Sequence, residues 1–406
     1  MKKKIFVRGP VLSQSGYGEQ SRFALRALRS REDQFDIYIQ PIPWGHTGWV
    51  WEESEFREWM DAKITESQVL IQQKQLQPDI SLQITIPNEF QKICPVNIGY
   101  TAGIESNRVA PVWLQKGNDM DKILVVSKHS KDVYEKTEAV ATDQQTGISS
   151  PYTLQTPIEV VWETTPRQEP EQIDEMDLDY DFNFLMVSQF GTRKNLINAL
   201  QWWVEEFVDQ EVGLVLKTNI ASNSIMDWEH LQTRVSNILS NYSDRKCKVY
   251  LLHGDLSSGQ MTSLYTNPKI KAMVSIAHGE GFGLPLFEAA REALPIVTVG
   301  WSGQLDFLNH NGKNYFQEVD YTLQPVQVEA VWDGVIDKTS MWAFANQGSY
   351  KMALRKTLKN WSKCKEQAVE LAAFINEKFD EEKLFAGFCD AIYDPSKDDD
   401  GVIAIL

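Results

Sequence analysis

The sequence predicts an α/β protein with two Rossmann-like domains, and three observations lead to this prediction. Short apolar runs alternate with amphipathic helical segments along most of the 406 residues. The alternation stops at residues 164–181, an acidic and proline-containing stretch without periodicity that is typical of a linker. It then starts again, and the chain is long enough for two domains. We therefore expect one domain over residues 1–165 and another over residues 182–375.

The predicted elements of the first domain follow from periodicity. Strands are expected at 3–9, 35–42, 79–86, 96–101, 122–127 and 157–162. Helices are expected at 18–31, where Phe23, Ala24, Ala27 and Leu28 share one face, over much of 54–75, and at 129–137.

In the second domain the same reasoning predicts strands at 182–190, 212–219, 248–254, 271–278 and 295–301. Helices are expected at 194–207, within 225–241, around 261–265 and at 284–294, followed by a long helical pattern over about 345–392.

Charge and composition exclude some classes of function. The net charge of −16 argues against broad electrostatic binding to nucleic acid or to an anionic membrane, although it leaves room for a local cationic pocket. The four cysteines are scattered without metal-ligand spacing, and the N-terminus has no apolar run of signal-peptide length. A cytoplasmic location is the simplest expectation.

The most informative stretch is HGEGFGLPLFEA, residues 278–289, which follows a predicted strand and begins a helix. Gly281 and Gly283 allow the backbone to approach a ligand, and the free N–H groups at the helix start favour an anion such as phosphate. Glu280 and Glu288 suit pairs of vicinal hydroxyls. A sugar on a diphosphate on a ribonucleoside therefore fits the whole stretch, with Glu280 at the sugar and Glu288 at the ribose. The alternative is that both glutamates are ordinary acidic residues near a helix N-terminus.

Arg193 and Lys194 also follow a predicted strand and precede a helix. Cations are mildly unfavourable at a helix N-terminus, so their position there suggests a function. Two fixed cations would stabilise a leaving diphosphate more in the transition state than in the ground state.

These stretches resemble retaining nucleotide-sugar glycosyltransferases of the GT-B fold, most closely glycosyltransferase family 4. EGFGLPLFEA resembles the E-x7-E motif of that family, VSQFGTRKNLINAL its diphosphate-binding segment, and RGPVLSQSGYG its N-terminal glycine loop. The resemblance implies two Rossmann-like domains that face each other across a cleft, and a C-terminal helix, here about 380–406, that returns to the first domain. It also implies retention of anomeric configuration and no metal or other cofactor.

The resemblance further implies a site for a UDP- or GDP-sugar. Glu280, Arg193 and Lys194 would be catalytic. The donor would be bound by Gly16, Gly18, Arg193, Lys194, Glu280, Gly281, Phe282, Gly283, Leu284 and Glu288.

The acceptor is expected on the first domain, on the loops 11–18, 43–52 and 101–113. Tyr17, Trp44, His46 and Glu105 give these loops a polar and aromatic composition that suits a saccharide or a glycolipid headgroup. A hydroxymethylated base flipped out of DNA is the alternative acceptor.

Two other classes of protein remain possible from the sequence. A nicotinamide-dependent oxidoreductase is disfavoured because GYGEQS lacks the third glycine of the dinucleotide fingerprint. The other class is a non-catalytic sugar- or nucleotide-binding protein, and a protein that binds only a sugar would not need paired cations for a diphosphate.

Overall fold

The apolar runs of the first 160 residues form a parallel six-stranded sheet in the computed structural model, which describes residues 2–142, 145–173 and 176–395. The order in this N-terminal half is β2-β1-β3-β4-β5-β8. Helices cover parallel sheets on both faces, which is why all five residues of the third strand are buried. The elements are β1 (Lys3–Gly9), α1 (Gly16–Arg29), β2 (Phe35–Pro41), α2 (Glu55–Gln72), β3 (Ile80–Ile84), β4 (Val96–Thr101), α3 (Pro111–Gly117), β5 (Lys122–Val125), α4 (Lys128–Lys136), the hairpin β6 (Ala139–Thr142) and β7 (Ser149–Tyr152), and β8 (Ile158–Val160).

The C-terminal half contains a second parallel sheet with the order β11-β10-β9-β12-β13-β16. Two short antiparallel hairpins, β14-β15 and β17-β18, accompany it. The elements are β9 (Asn183–Val187), α5 (Leu196–Phe207), β10 (Gly213–Lys217), α6 (Ile225–Leu239), β11 (Lys248–Leu252), α7 (Ser258–Thr266), β12 (Ile270–Ser275), α8 (Leu284–Arg291), β13 (Ile296–Val299), α9 (Leu305–Leu308), β14 (Asn309–His310), β15 (Lys313–Asn314), β16 (Gln317–Val319), β17 (Tyr321–Pro325), β18 (Met341–Ala345), α10 (Gln347–Lys359), α11 (Trp361–Lys378) and α12 (Glu381–Ile392).

The strand order creates a topological switch point in the second sheet. In that sheet β9 lies in the centre, with β10 on one side and β12 on the other. The connections that follow β9 and β12 therefore run in opposite directions, and the loops after these two strands open a crevice at their carboxyl ends. The first sheet has a different order. Its first strand, β1, lies between its second and third strands, whereas β9, the first strand of the second sheet, lies between the second and fourth strands of that sheet. Its order is the flavodoxin-like variant of the doubly wound fold.

The long helical pattern predicted over 345–392 consists of three helices. The breaks fall at Asn360 and at Phe379–Asp380. The last described helix, α12, lies against the N-terminal half, where the Phe388 ring centre is 5.5 Å from those of Phe23 and Tyr100. Of the helix predicted over 380–406, residues 396–406 lie outside the described part of the chain.

A segment of the C-terminal half reaches the N-terminal half. Residues 326–340, between β17 and β18, form this segment, which we call the arm. Trp113 Nε1 donates to Gly334 O at 2.8 Å, and Arg108 Nη1 donates to Thr339 Oγ1 at 2.8 Å. The arm therefore joins the two halves on the side of α3.

No helix within the described residues is both long enough and apolar enough to cross a membrane.

Candidate active site

The residues singled out in the sequence meet at the crevice of the second sheet. Arg193 and Lys194 lie in a 3-10 turn, residues 192–194, which follows β9, and Glu280 lies in the loop that follows β12. Since β9 and β12 are neighbouring parallel strands, both loops emerge at the same edge of the sheet.

Glu280 forms ion pairs with both cations. Its Oε2 atom is 3.1 Å from Arg193 Nη1, and its Oε1 atom is 2.5 Å from Lys194 Nζ. Arg193 Nη1 also donates to Gly279 O at 2.8 Å. Burial acts to raise the pKa of Glu280, but the charges of Lys194 and Arg193 outweigh burial and hold this pKa below its ordinary value. The carboxylate is therefore ionised at neutral pH.

The same arginine also pairs with a carboxylate of the N-terminal half. Glu105, in the loop after β4, has Oε1 3.5 Å from Arg193 Nη2. Burial raises the pKa of Glu105, while the charge of Arg193 opposes the increase. The sequence predicts Glu105 only as an acceptor contact, whereas the structure brings it to the cations of the predicted donor site.

Glycines allow the two halves to come into backbone contact at this point. A Cβ atom on Gly281 would overlap the carbonyl oxygen of Ala102, and one on Gly279 would overlap that of Glu105. The sequence predicts that bare backbone at Gly281 serves a ligand. In the structure it is also needed for the approach of the loop at 102–105, because no side chain fits between the two loops.

Ser302 and Gln304, in the loop after β13, support the Glu280 loop through hydrogen bonds. The sequence prediction included neither residue. The backbone N–H of Glu280 donates to Ser302 Oγ at 2.9 Å, and Ser302 Oγ donates to Gln304 Oε1 at 2.8 Å. Ser302 has a φ of 82°, in the left-handed region that few L-residues occupy. A Ser-Gly pair directly after the predicted strand at 295–301 is the signal that could have indicated this support.

The remaining motif residues begin α8. Gly283 has a φ of 96°, and Pro285 stands in the first turn, as the sequence predicts. The Phe282 side chain is buried, with its ring centre 5.4 Å from that of Phe287. Its side chain therefore belongs to the core, which leaves only its backbone available to a ligand. Leu284 is half-buried.

Glu288 lies one turn into α8 and is half-buried rather than exposed. Tyr265 in α7 donates its hydroxyl hydrogen to Glu288 Oε2 at 2.9 Å. Burial raises the pKa of this carboxyl group. Tyr265 thus fixes the orientation of Glu288, and no pattern in the sequence indicates this contact.

The N-terminal glycine loop leads directly into α1. Gly18 N–H donates to the Ser15 side chain at 3.1 Å, which caps the helix. A Cβ atom on Gly18 would overlap the carbonyl oxygen of Ser13. Gly16 is exposed, and a Cβ atom placed on it would have no other atom within 4 Å. Gly16 is therefore the more open of the two glycines predicted to face the donor.

Tyr17 connects this loop to the loop that carries Glu105. Its hydroxyl oxygen lies 2.7 Å from Thr101 Oγ1 and accepts the N–H of Gly103 at 3.0 Å. The Tyr17 ring packs on that of Trp44 with 4.3 Å between the centres. Tyr17 is buried, so it positions the loops and offers little surface to an acceptor.

The three loops predicted to bind the acceptor lie side by side. Residues 11–14 pair with residues 48–50 through Gln14 N–Gly48 O (2.9 Å) and Val50 N–Leu12 O (2.8 Å). His46 is exposed, as are Trp49 and Trp51. Their part in acceptor binding stays a prediction.

Two histidines near the crevice, one buried (His278) and one half-buried (His129), have lowered pKa values. Burial lowers the pKa of His278, whose Nδ1 lies 2.6 Å from Ala343 O and whose ring stacks on Trp342 at 5.0 Å. Burial lowers the pKa of His129 to about 4. His278 links the Glu280 loop to the base of the arm, which is a structural role.

Within residues 2–142, 145–173 and 176–395, no group of three or more His, Cys, Asp or Glu side chains is arranged to hold a metal ion. Arg193 and Lys194, which are paired with Glu280 and Glu105, bring two cationic groups to the crevice, and the N-terminus of α8 adds the positive end of its dipole. Chemically, the site can bind a diphosphate and present carboxylates to hydroxyl groups.

Solved structures resemble this chain over almost its whole length. A sucrose-phosphate synthase from Thermosynechococcus elongatus aligns with a TM-score of 0.60 at 12% identity, covering 96% of this chain and 98% of that one. An E. coli trehalose-6-phosphate structure with bound UDP-2-fluoro glucose gives 0.57 at 11%, covering 96% and 99%. A lipopolysaccharide outer core galactosyltransferase gives 0.51 at 14%, covering 97% and 99%.

No protein-family model and no curated protein matches the chain. At identities this low, the structural resemblance establishes architecture. The predicted architecture is confirmed: two parallel six-stranded sheets face each other across a crevice, and the chain has the GT-B fold.

Proposed function

We propose that this protein transfers a sugar from a nucleotide-sugar donor to a hydroxyl group of an acceptor. The observation that carries the proposal is the pair Arg193 and Lys194, fixed by Glu280 at the switch point of the second sheet. A diphosphate fits there because both cations and the N-terminus of α8 converge on one place. The bound UDP-2-fluoro glucose of the E. coli structure is a ligand of this kind.

Each group has a distinct role in the proposed reaction. Arg193 and Lys194 neutralise the diphosphate as the bond between its β-phosphate oxygen and the sugar C1 breaks. The acceptor oxygen then bonds to C1 on the face from which the diphosphate leaves, which retains the configuration, and its proton passes to the departing phosphate. Glu280 accepts hydrogen bonds from sugar hydroxyls, and Glu288 accepts them from the ribose.

A donor screen tests the proposal directly. Calorimetry and donor hydrolysis would be measured with UDP-, GDP- and ADP-sugars, with the free sugars and with NADH as comparisons. Binding and slow hydrolysis of at least one nucleotide sugar are expected. Binding of free sugar without the nucleotide would favour a non-catalytic binding protein, and binding of NADH alone would favour an oxidoreductase.

Replacing Glu288 with Gln should weaken donor binding by about 1–3 kcal/mol, because the amide accepts ribose hydroxyls less well than a carboxylate does. The fold should persist, since the amide oxygen can still accept from Tyr265. Calorimetric titration with the donor measures the change, and Glu135→Gln on the exposed side of α4 serves as the control. Unchanged donor affinity would rule out the ribose contact.

Activity is expected to survive EDTA, because the two cations and the helix N-terminus supply the positive charge that a metal would otherwise provide. Loss of activity on chelation, restored by Mg²⁺ or Mn²⁺, would place a metal in the reaction.

The product should keep the anomeric configuration of the donor, which NMR of the purified product reveals. An inverted product would contradict the retaining mechanism.

We propose a saccharide or a glycolipid headgroup as the acceptor, bound on the exposed loops around His46 and Trp49. Transfer of labelled sugar to saccharides, to glycolipids and to hydroxymethylated duplex DNA would be compared. Salt-sensitive labelling of the DNA would overturn this acceptor and leave the donor site intact. A cytoplasmic location stays a prediction.

A further inference from the structure

Two carboxylates from opposite halves of the molecule share one guanidinium at the crevice. Arg193 lies between Glu105, at 3.5 Å, and Glu280, at 3.1 Å. We propose that Glu105 restricts the donor to nucleotide sugars whose transferred sugar is uncharged, and that sugars bearing a carboxylate are excluded. This inference rests on the function proposed above and assigns Glu105 to the sugar pocket.

The backbone around Glu105 is held firmly. The hydroxyl of Tyr17 accepts hydrogen bonds from Gly103 N at 3.0 Å and from Ala102 N at 3.3 Å. On the other side, the carbonyl oxygen of Glu105 packs against Gly279, where a Cβ atom would not fit. The loop therefore keeps Glu105 beside the Glu280 loop.

The charged neighbours of Glu105 are few among the described residues. The charges that shift its pKa are those of Arg193, Lys194 and Glu280. Arg108 is close in sequence, but its guanidinium donates to Thr339 Oγ1 and to the carbonyl oxygen of Glu138. The nearby His129, with a pKa lowered by burial to about 4, is neutral. No other cation among these neighbours would balance an additional negative charge.

Donor binding changes this balance. The diphosphate brings negative charge to Arg193 and Lys194, which until then neutralise the two glutamates. Glu105 and Glu280 then share these cations with the diphosphate, and both carboxylates face the sugar. Hydroxyl groups of a neutral sugar can donate hydrogen bonds to both carboxylates. A uronic acid would instead place a third carboxylate in a partly buried site, where repulsion between like charges is strong.

The test uses donor pairs that differ only at C6: UDP-glucose with UDP-glucuronate, and GDP-mannose with GDP-mannuronate. The value of kcat/KM for donor hydrolysis would be measured for the parent protein and for Glu105→Gln, with Glu135→Gln as the control that removes a surface charge on α4. The parent should use a neutral donor and favour it over its uronate about a hundredfold or more. Glu105→Gln should reduce this preference on the order of tenfold by removing one repulsive charge, whereas Glu135→Gln should keep it.

The outcomes separate the two proposals. If the parent protein uses a uronate as well as its neutral partner, the proposed function stands and the role of Glu105 is wrong. An undiminished preference in Glu105→Gln, with a melting temperature equal to that of the parent, would also remove Glu105 as the determinant. If the parent binds no nucleotide sugar of the panel, the proposed function fails, and this inference fails with it.

Discussion

Replacing Arg193 and Lys194 together with alanine is expected to lower kcat by about two to three orders of magnitude. The loss of one preorganised group that stabilises developing charge typically has an effect of this size. Both cations contact the Glu280 carboxylate and face the crevice, so both are placed to meet a departing diphosphate. Binding of a nucleoside without phosphates should change little. Single-turnover kinetics and calorimetry with uridine or guanosine would measure the two effects separately.

The double variant leaves Glu280 without cations in a site that is largely buried, so part of any loss could come from instability. Adding Glu280→Gln removes the unpaired charge and should restore the melting temperature while turnover stays low. Lys131→Ala with Lys136→Ala removes two charges from exposed ion pairs on α4 and serves as the matched control. Turnover at the parent rate in the Arg193 and Lys194 variant would place the diphosphate elsewhere.

Gly281→Ala should lower kcat/KM by about two orders of magnitude without unfolding either half. The added methyl group would overlap the carbonyl oxygen of Ala102, and neither backbone segment can give way easily. The loop at 102–105 must then move away from the Glu280 loop. Displacements of about 1 Å between groups that act together can cost on the order of a hundredfold in rate. Steady-state kinetics and thermal melting would report activity and stability.

A second glycine gives the control for this experiment. Gly387 lies in α12, and a Cβ atom there has nothing within 4 Å. Gly387→Ala should therefore keep full activity and stay as stable as the parent, or become slightly more stable, because alanine favours helix. Parent-like activity in Gly281→Ala would mean that the reaction does not need the close approach of the two loops.

The position of Arg193, Lys194 and Glu280 at strand ends could be predicted from the sequence because it depends on local order, whereas their convergence also requires β9 to pair with β12. Each follows an apolar strand, and the carboxyl ends of neighbouring parallel strands share an edge of the sheet. The contact between Glu105 and Arg193 could not be predicted in this way. It depends on how one half closes on the other, and no periodic pattern encodes that geometry.

The helical pattern at 345–392 is a second feature that could be predicted only in part from the sequence. Apolar spacing continues through Asn360 and through Phe379–Asp380, so periodicity alone does not locate the two breaks. The chain turns at these two places because α10 packs on the C-terminal half and α12 packs on α1. The arm at 326–340 is also hidden in the sequence, since its contacts with Arg108 and Trp113 join residues more than 200 positions apart.

The packing of α12 on the N-terminal half affects how the protein is made. Phe388 is fully buried against Phe23 and Tyr100, so the hydrophobic core of the N-terminal half is completed by a helix that begins at residue 381. A ribosome that adds about 5–20 residues per second needs ~20–80 s to reach that helix. During this time the groove between α1 and β4 is open to water and to chaperones. The N-terminal half, although synthesised first, is therefore expected to reach its final stability only after the C-terminal half has been synthesised.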